Sequence, residues 1–342
     1  MPTLPSGSVG GWHEVGRATL GSNTEVVVSS LPDKKYYMIL GHGQGYGSAV
    51  SNFRHRFNGD TGSNYASRQN QNGGSDSTYT TLNGIQQDKA TNGDSGAIIV
   101  GYVANKSDKE KLMIMHTGEF GGTGAGTAPV NRKEIVGKWA NTSDPISSYT
   151  WTQYQGTDQF QSGNEVVVLG WDPTDTHTSN FWEELASVSG DNTSATLSTG
   201  TFTSKKYLWI QGYGAVSTGT ASMQLRVGNT TLDSGTNYAF RYSDDGGADG
   251  SAGSQTSLFQ HQLTGNGFFN TFIINNASNE KLAISHHVYE SATGAATAPQ
   301  RQEQVAKWAN TSNQINIIGM IEGGGSSKNW VSPSILKVWG SD

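Results

Sequence analysis

Residues 92–97 read "NGDSGA", one glycine short of a Gly-Asp-Ser-Gly-Gly nucleophile loop. His42, in the upstream stretch "GHGQGYG", offers a base that could deprotonate Ser95. A hydrolytic triad is defined by geometry and by a third group that orients the base, not by four letters. The chain carries its own control, because the sequence contains a second copy of itself. Where the first copy has "NGDSGAIIV", the second reads "TGNGFFNTF" (264–272), and Tyr213 stands where His42 stands. No cysteine is present to brace a double barrel around such a loop, and Asp-Ser-Gly is also an ordinary turn. The motif is expected to be a turn. No acidic pair and no nucleophile–base pair is shared by the copies, so no catalytic residue is expected.

The duplication runs the length of the chain. "KWANTSDPI" (138–146) returns as "KWANTSNQI" (307–315), "KKYYMIL" (34–40) as "KKYLWIQ" (205–211), and "DTGSNYASR" (60–68) as "DSGTNYAFR" (233–241). "TAP" at 127–129 returns at 297–299. A whole domain has been repeated. The expected organisation is a lead-in at 1–10, a first domain at 11–173, a linker at 174–180 and a second domain at 181–342. Short apolar or alternating runs such as "SGAIIVGYV", "KLMIMHTG", "KKYLWIQGYG" and "KLAISHHVY" lie between Gly, Asn and Asp clusters and read as strands. Only "NRKEIVGKWA" (131–140) and "RQEQVAKWA" (301–309) invite a helical turn. About eight strands per copy without intervening helices predict two tandem antiparallel β-sandwiches of jelly-roll-like kind.

The bulk numbers agree. The chain has 342 residues, 34% hydrophobic and 15% charged, with 45 glycines and no cysteine. Disulfides, thiolate metal sites and cysteine nucleophiles are excluded. A net charge of −6 without a long basic run argues against nucleic acid as a partner. No apolar run is long enough to span a membrane as a helix, and "MPTLPSGSVGGW" has no signal-peptide pattern.

What both copies keep shows what the fold needs. In Asp60-Thr-Gly-Ser-Asn64-Tyr65 and Asp233-Ser-Gly-Thr-Asn237-Tyr238 the carboxylate can take turn N–H groups while the tyrosine leads a strand, ring buried and hydroxyl satisfied. Arg68 and Arg241 then fall on the opposite face of that strand. Trp139 and Trp308 are expected to plug one end of each sandwich. His116 and His286 each end an apolar run and read as structural. Asp244, Asp245 and Asp249, set around two glycines, supply the oxygens that calcium takes. A polar loop tip is the plainer reading, and no other cofactor is expected. The Asn-Thr-Ser after each tryptophan matches a glycosylation acceptor, though turn capping accounts for it.

Taken together, "GWHEV" (11–15), "KKY" before an apolar strand, "RFNGDTGSNYASR", "NGGSDST", "NRKEIVGKWANTS" and "SGNEVVVLG" resemble the β-rich virion proteins of tailed phages and related viruses. The resemblance spans both copies and implies no catalytic residue. It implies a non-enzymatic structural protein on the particle surface, a capsid decoration or a tail or fibre component, made in the host cytoplasm. Its partners would be further copies of itself, a trimer being favoured, and other virion proteins. Two alternatives stand beside it. One is a double-jelly-roll major capsid protein. The other is a lectin-like tandem module binding cell-surface glycan, with Tyr46, Tyr154 and Tyr213 as candidate contacts.

Overall fold

In the computed structural model the chain is described for residues 11–342 apart from 20, 22–23, 47–50, 91–95, 156–158, 217–218, 264, 291, 293 and 325–327. Contacts divide it into two units, Met1–Gly121 with Val130–Trp182, and Gly122–Pro129 with Glu183–Asp342. The boundary falls two residues later than the repeat implied. Phe181 and Trp182 are buried in the first unit, where the Phe181 N–H donates to Trp12 O at 2.8 Å.

The first unit contains β1 (His13–Thr19), β2 (Glu25–Val28), β3 (Tyr36–Tyr46), β4 (Ser51–Phe57), β5 (Tyr65–Gln71), β6 (Ser77–Leu82) and β7 (Ile85–Ala90). It continues with β8 (Gly96–Ala104), β9 (Lys111–Phe120), β10 (Asn131–Trp139), β11 (Tyr149–Gln155), β12 (Gln159–Phe160) and β13 (Glu165–Trp171). The second unit contains β14 (Glu183–Ser189), β15 (Thr196–Ser198), β16 (Tyr207–Gly214), β17 (Ala221–Asn229), β18 (Thr231–Leu232), β19 (Tyr238–Asp244) and β20 (Gly250–Gln255). It ends with β21 (Phe259–Leu263), β22 (Gly267–Ile274), β23 (Lys281–Tyr289), β24 (Gln300–Trp308), β25 (Ile317–Glu322) and β26 (Ile335–Ser341).

Each unit is a sandwich of one large and one small sheet. The large sheets run β1-β13-β3-β8-β9-β10-β5-β6, with β12 also pairing β3, and β14-β26-β16-β22-β23-β24-β19-β20, so the main strand order is reproduced in both units. The small sheets run β2-β11-β4-β7 and β15-β25-β17-β18, with β21 also pairing β17. The protein is thus two tandem antiparallel β-sandwiches. Between the sheets lie two aromatic-rich cores, one holding Tyr65, Trp139, Tyr149 and Trp151, the other Tyr238, Phe259, Trp308 and Trp330.

The helical expectation for 131–140 and 301–309 is corrected: both stretches are central strands, β10 and β24. In β10 Ile135 and Trp139 face the core, but the position between them is Gly137, which breaks the visible alternation. A Cβ at Gly137 would lie 2.7 Å from Ile85 side-chain atoms, so the neighbouring strand fills the place a side chain would take. In β24 the inward series begins with glutamines, Gln302 and Gln304, before Ala306 and Trp308.

The strand β9, "KLMIMHTGEF", is apolar on both faces. Met113 and Met115 enter the core, while Leu112 and Ile114 point outward and are more than half exposed. Register sets Ile114 beside Val136 on β10 and Tyr102 on β8, and sets Arg68 on β5 beside Val136. The outer face of this sheet therefore carries an apolar row ending in a cation.

Candidate functional site

Among the described residues, three places bring chemistry-bearing side chains together. The first is duplicated. Asp60 accepts hydrogen bonds from Gly62 N at 2.7 Å, Asn64 Nδ2 at 2.9 Å and the Trp139 indole N–H at 2.7 Å. Asp233 does the same with Gly235 N at 2.8 Å, Asn237 Nδ2 at 2.9 Å and Trp308 at 2.7 Å. Burial alone would raise each carboxyl pKa, but the indole, amide and N–H donors outweigh it and hold both below the ordinary carboxylate value. The Tyr65 hydroxyl donates to Phe57 O at 3.1 Å and accepts from Phe57 N, and Tyr238 repeats this on Val227. Asp60, Asn64, Tyr65 and Trp139, and Asp233, Asn237, Tyr238 and Trp308, form a knot that ties a turn to the core. The hydrogen bonds of these residues run within the chain and fit a structural role.

The second place is a cleft at one end of the second sandwich, enclosing about 610 Å³. Tyr242, Tyr289 and Phe240 line it together with Gln255, Gln260, Gln262, Gln300, Gln302 and Gln304, Asp244 and His261. Behind it a buried relay runs from His261 to His287 Nδ1, from His287 Nε2 to Ser285 Oγ at 2.6 Å, and on to Thr271 Oγ1 at 2.5 Å. The set looks like a nucleophile with two bases. Ser285 is only 3% exposed, however, and lies beneath the surface of the cleft. Burial pushes the His261 pKa down to about 4 and His287 well below its usual value, so both rings are neutral at pH 7. The cleft thus offers amides, phenols and ring faces with a single carboxylate. Such a lining can exchange hydrogen bonds with, and stack against, a neutral, hydroxyl-rich molecule.

In the first unit the equivalent positions are filled differently. Glu119 and Lys133 stand where the second unit has Tyr289 and Gln302, and they form an ion pair at 2.5 Å with both side chains wholly buried. Glu119 also accepts from Gln87 Nε2 at 3.2 Å and Asn131 Nδ2 at 2.8 Å. His55 completes the chain, bonded to Gln87 Oε1 at 3.0 Å and to the Tyr149 hydroxyl at 2.6 Å. Burial drives the His55 pKa down to about 4, although Gln87 opposes the shift.

The third place joins His13, Asp175 and His177, whose potential ligand atoms all lie within 4.8 Å of one another. The His13 and His177 rings lie 4.5 Å apart. Two imidazoles and a carboxylate are a donor set for a divalent metal. Against this, Lys34 Nζ is bonded to Asp175 Oδ1, and the Asp172 N–H occupies Oδ2 at 2.8 Å. A cation already neutralises the carboxylate. In the second unit Lys205 likewise pairs with Glu183 and Asp342. Sequence reading missed the cluster because His13 lies at one end of the unit and the two others in the expected linker. Only the pairing of β1 with β13 joins them.

The remaining sequence candidates scatter. Asp244 accepts from Gln302, Asp245 from the Arg301 N–H, and Asp249 faces Arg241 at 4.0 Å. The three carboxylates of the expected calcium loop thus have separate partners and do not converge. Tyr154 lies under the Arg54 guanidinium, 3.5 Å from its ring centre. Tyr213 is half-buried in β16, and burial with Glu290 nearby raises its pKa. Tyr46 ends β3 opposite Gln159, and its side chain lies outside the described residues. His42 is buried in β3, while Ser95 lies outside the described residues.

No protein-family model matches the chain, and no curated protein does. Among solved structures it is similar to domains LG4-5 of the mouse laminin alpha1 chain, with 9% identity over 98% of this chain and 92% of that one and a TM-score of 0.18. The LG1-3 region of the laminin alpha2 chain aligns at 7% identity over 96% of this chain and 62% of that one, TM-score 0.21. Neisserial surface protein A aligns at 6% identity over 84% and 97%, TM-score 0.14. Scores this low carry no argument about function, and the sandwich assignment rests on the sheets themselves.

Proposed function

We propose that the chain is a non-enzymatic structural module of a multi-subunit particle, assembling with further copies of itself. Its resemblance to β-rich phage proteins points to a virion as that particle, in a decoration, tail or fibre position. One observation carries the reading. The outer face of the first large sheet exposes Leu112, Ile114 and Val136 side by side, each about half exposed or more, whereas the exposed apolar pair of the second large sheet, Phe268 and Val288, is less open. A contiguous apolar patch on a sheet face marks an interface, and a structural module needs one. Immunogold electron microscopy on particles from the source culture tests the placement. Label on heads or tails supports it, and clean particles with label confined to the supernatant overturn it.

The second reading, a glycan-binding module, is favoured by the Gln- and Tyr-lined cleft of the second unit. Here Tyr242 and Tyr289 take the place of the tyrosines expected from the sequence. Saccharides that bind there shift the melting temperature of the wild-type chain but not of Tyr289→Ala. A saccharide panel that moves neither removes this reading.

A further inference from the structure

We infer that the first unit carries a seat for a loop of a second copy of this chain, namely Gly294–Pro299. The inference rests on reading the protein as a self-assembling module. The second unit supplies the pattern, because its own seat is filled. There the segment Gly122–Pro129 lies against β19, β20 and β24. Arg241 Nε donates to Pro129 O at 2.8 Å, and Lys307 Nζ to Gly122 O at 2.7 Å. Glu280 Oε1 accepts from Gly124 N at 2.5 Å, and Ser254 N donates to Ala125 O at 2.6 Å.

Every charged group of that seat recurs in the first unit. Arg68 with Asp76 matches Arg241 with Asp249, and Lys138 with Glu110 matches Lys307 with Glu280, down to the same 2.9 Å ion pair. What differs is coverage. The Lys307 and Glu280 side chains are 1% and 10% exposed, whereas those of Lys138 and Glu110 are 45% and 40% exposed. The apolar row follows suit. Leu282, Ile284 and Val305 are at most 2% exposed, while their equivalents Leu112, Ile114 and Val136 are 55, 54 and 49% exposed.

The matching loop is present as well. "GTGAGTAP" (122–129) recurs as "ATGAATAP" (292–299). Pro129 is buried in its seat, while Gly294–Pro299 is exposed. An open seat on one unit and an exposed loop on the other make a heterologous, head-to-tail pair, which closes into rings when the rotation allows. One position is changed. A Cβ at Gly253 would meet Gly126 O at 2.6 Å, and Thr80 occupies the matching place in the first unit. The loop must therefore stand off slightly there, which makes this contact weaker than the one within the chain.

Sedimentation equilibrium on the full chain tests the inference. Arg68→Glu with Lys138→Glu disables the seat, and Ala296→Trp blocks the loop. All three positions are exposed or half-exposed, so circular dichroism should show an unchanged fold. Each variant alone should associate about tenfold more weakly or worse, and Thr80→Gly should associate more tightly than wild type. Mixed together, the seat and loop variants should form a dimer that grows no further, since each supplies the half the other lacks. Association indifferent to the seat and loop substitutions overturns the inference alone and leaves self-assembly through another face. A wild-type chain that stays monomeric at its solubility limit overturns both the inference and the self-assembly it rests on.

Discussion

Asp60 and Asp233 each hold a buried indole, an asparagine amide and a glycine N–H, and each anchors a tryptophan at the end of a core strand. Asp233→Ala leaves the Trp308 N–H unsatisfied inside the second core, and should cost about 1–3 kcal/mol in chemical denaturation. Both carboxyl pKa values are depressed, so their contribution is complete above the unfolded carboxylate value and is lost only as pH falls through the folded values. The histidines act at milder acidity. His55 and His261 titrate near 6.5 in the unfolded chain and at about 4 when folded. Between those values the unfolded state binds more protons, so stability falls as pH drops from 6.5 toward 4. The unfolding free energy from urea titrations should decline between pH 7 and pH 5, by roughly 2 kcal/mol for each histidine. A flat profile would show that these rings are solvated.

At the scale of elements, β9 and β10 explain most of what the unit does. Their inner faces carry Met113, Met115, Ile135 and Trp139 into the core, and one end buries the Glu119–Lys133 pair. Removing one partner strands a charge, so Lys133→Met should cost about 3–5 kcal/mol. Combining Lys133→Gln with Glu119→Tyr, the pair found in the second unit, should recover much of that loss in the same denaturation experiment. These elements also show how far the sequence could be read. Strands such as "SGAIIVGYV" and the Asp-x-Gly-x-Asn-Tyr turns were legible because apolar runs and turn chemistry are local signals. The strand character of 131–139 was not, since Gly137 leaves its side-chain place to Ile85. The inward glutamines Gln302 and Gln304 hid 300–308 in the same way, because a polar cleft needs polar residues at inward positions. The cleft itself depends on which strands become neighbours, and no spacing along the chain encodes that.

At the scale of the whole molecule, the duplication left two sandwiches with the same strand order and different surfaces. One copy closed its sandwich end with an ion pair and kept an exposed apolar sheet face. The other opened a cleft and buried the matching row, Leu282, Ile284 and Val305. Divergence of this kind suits a repeated module whose copies hold different places in an assembly. The most direct test is sedimentation velocity of the purified chain across a wide concentration range. The account predicts discrete larger species that grow at the expense of monomer as concentration rises, with the melting temperature rising alongside. A single monomeric boundary at every concentration, with an unchanging melting temperature, would contradict it.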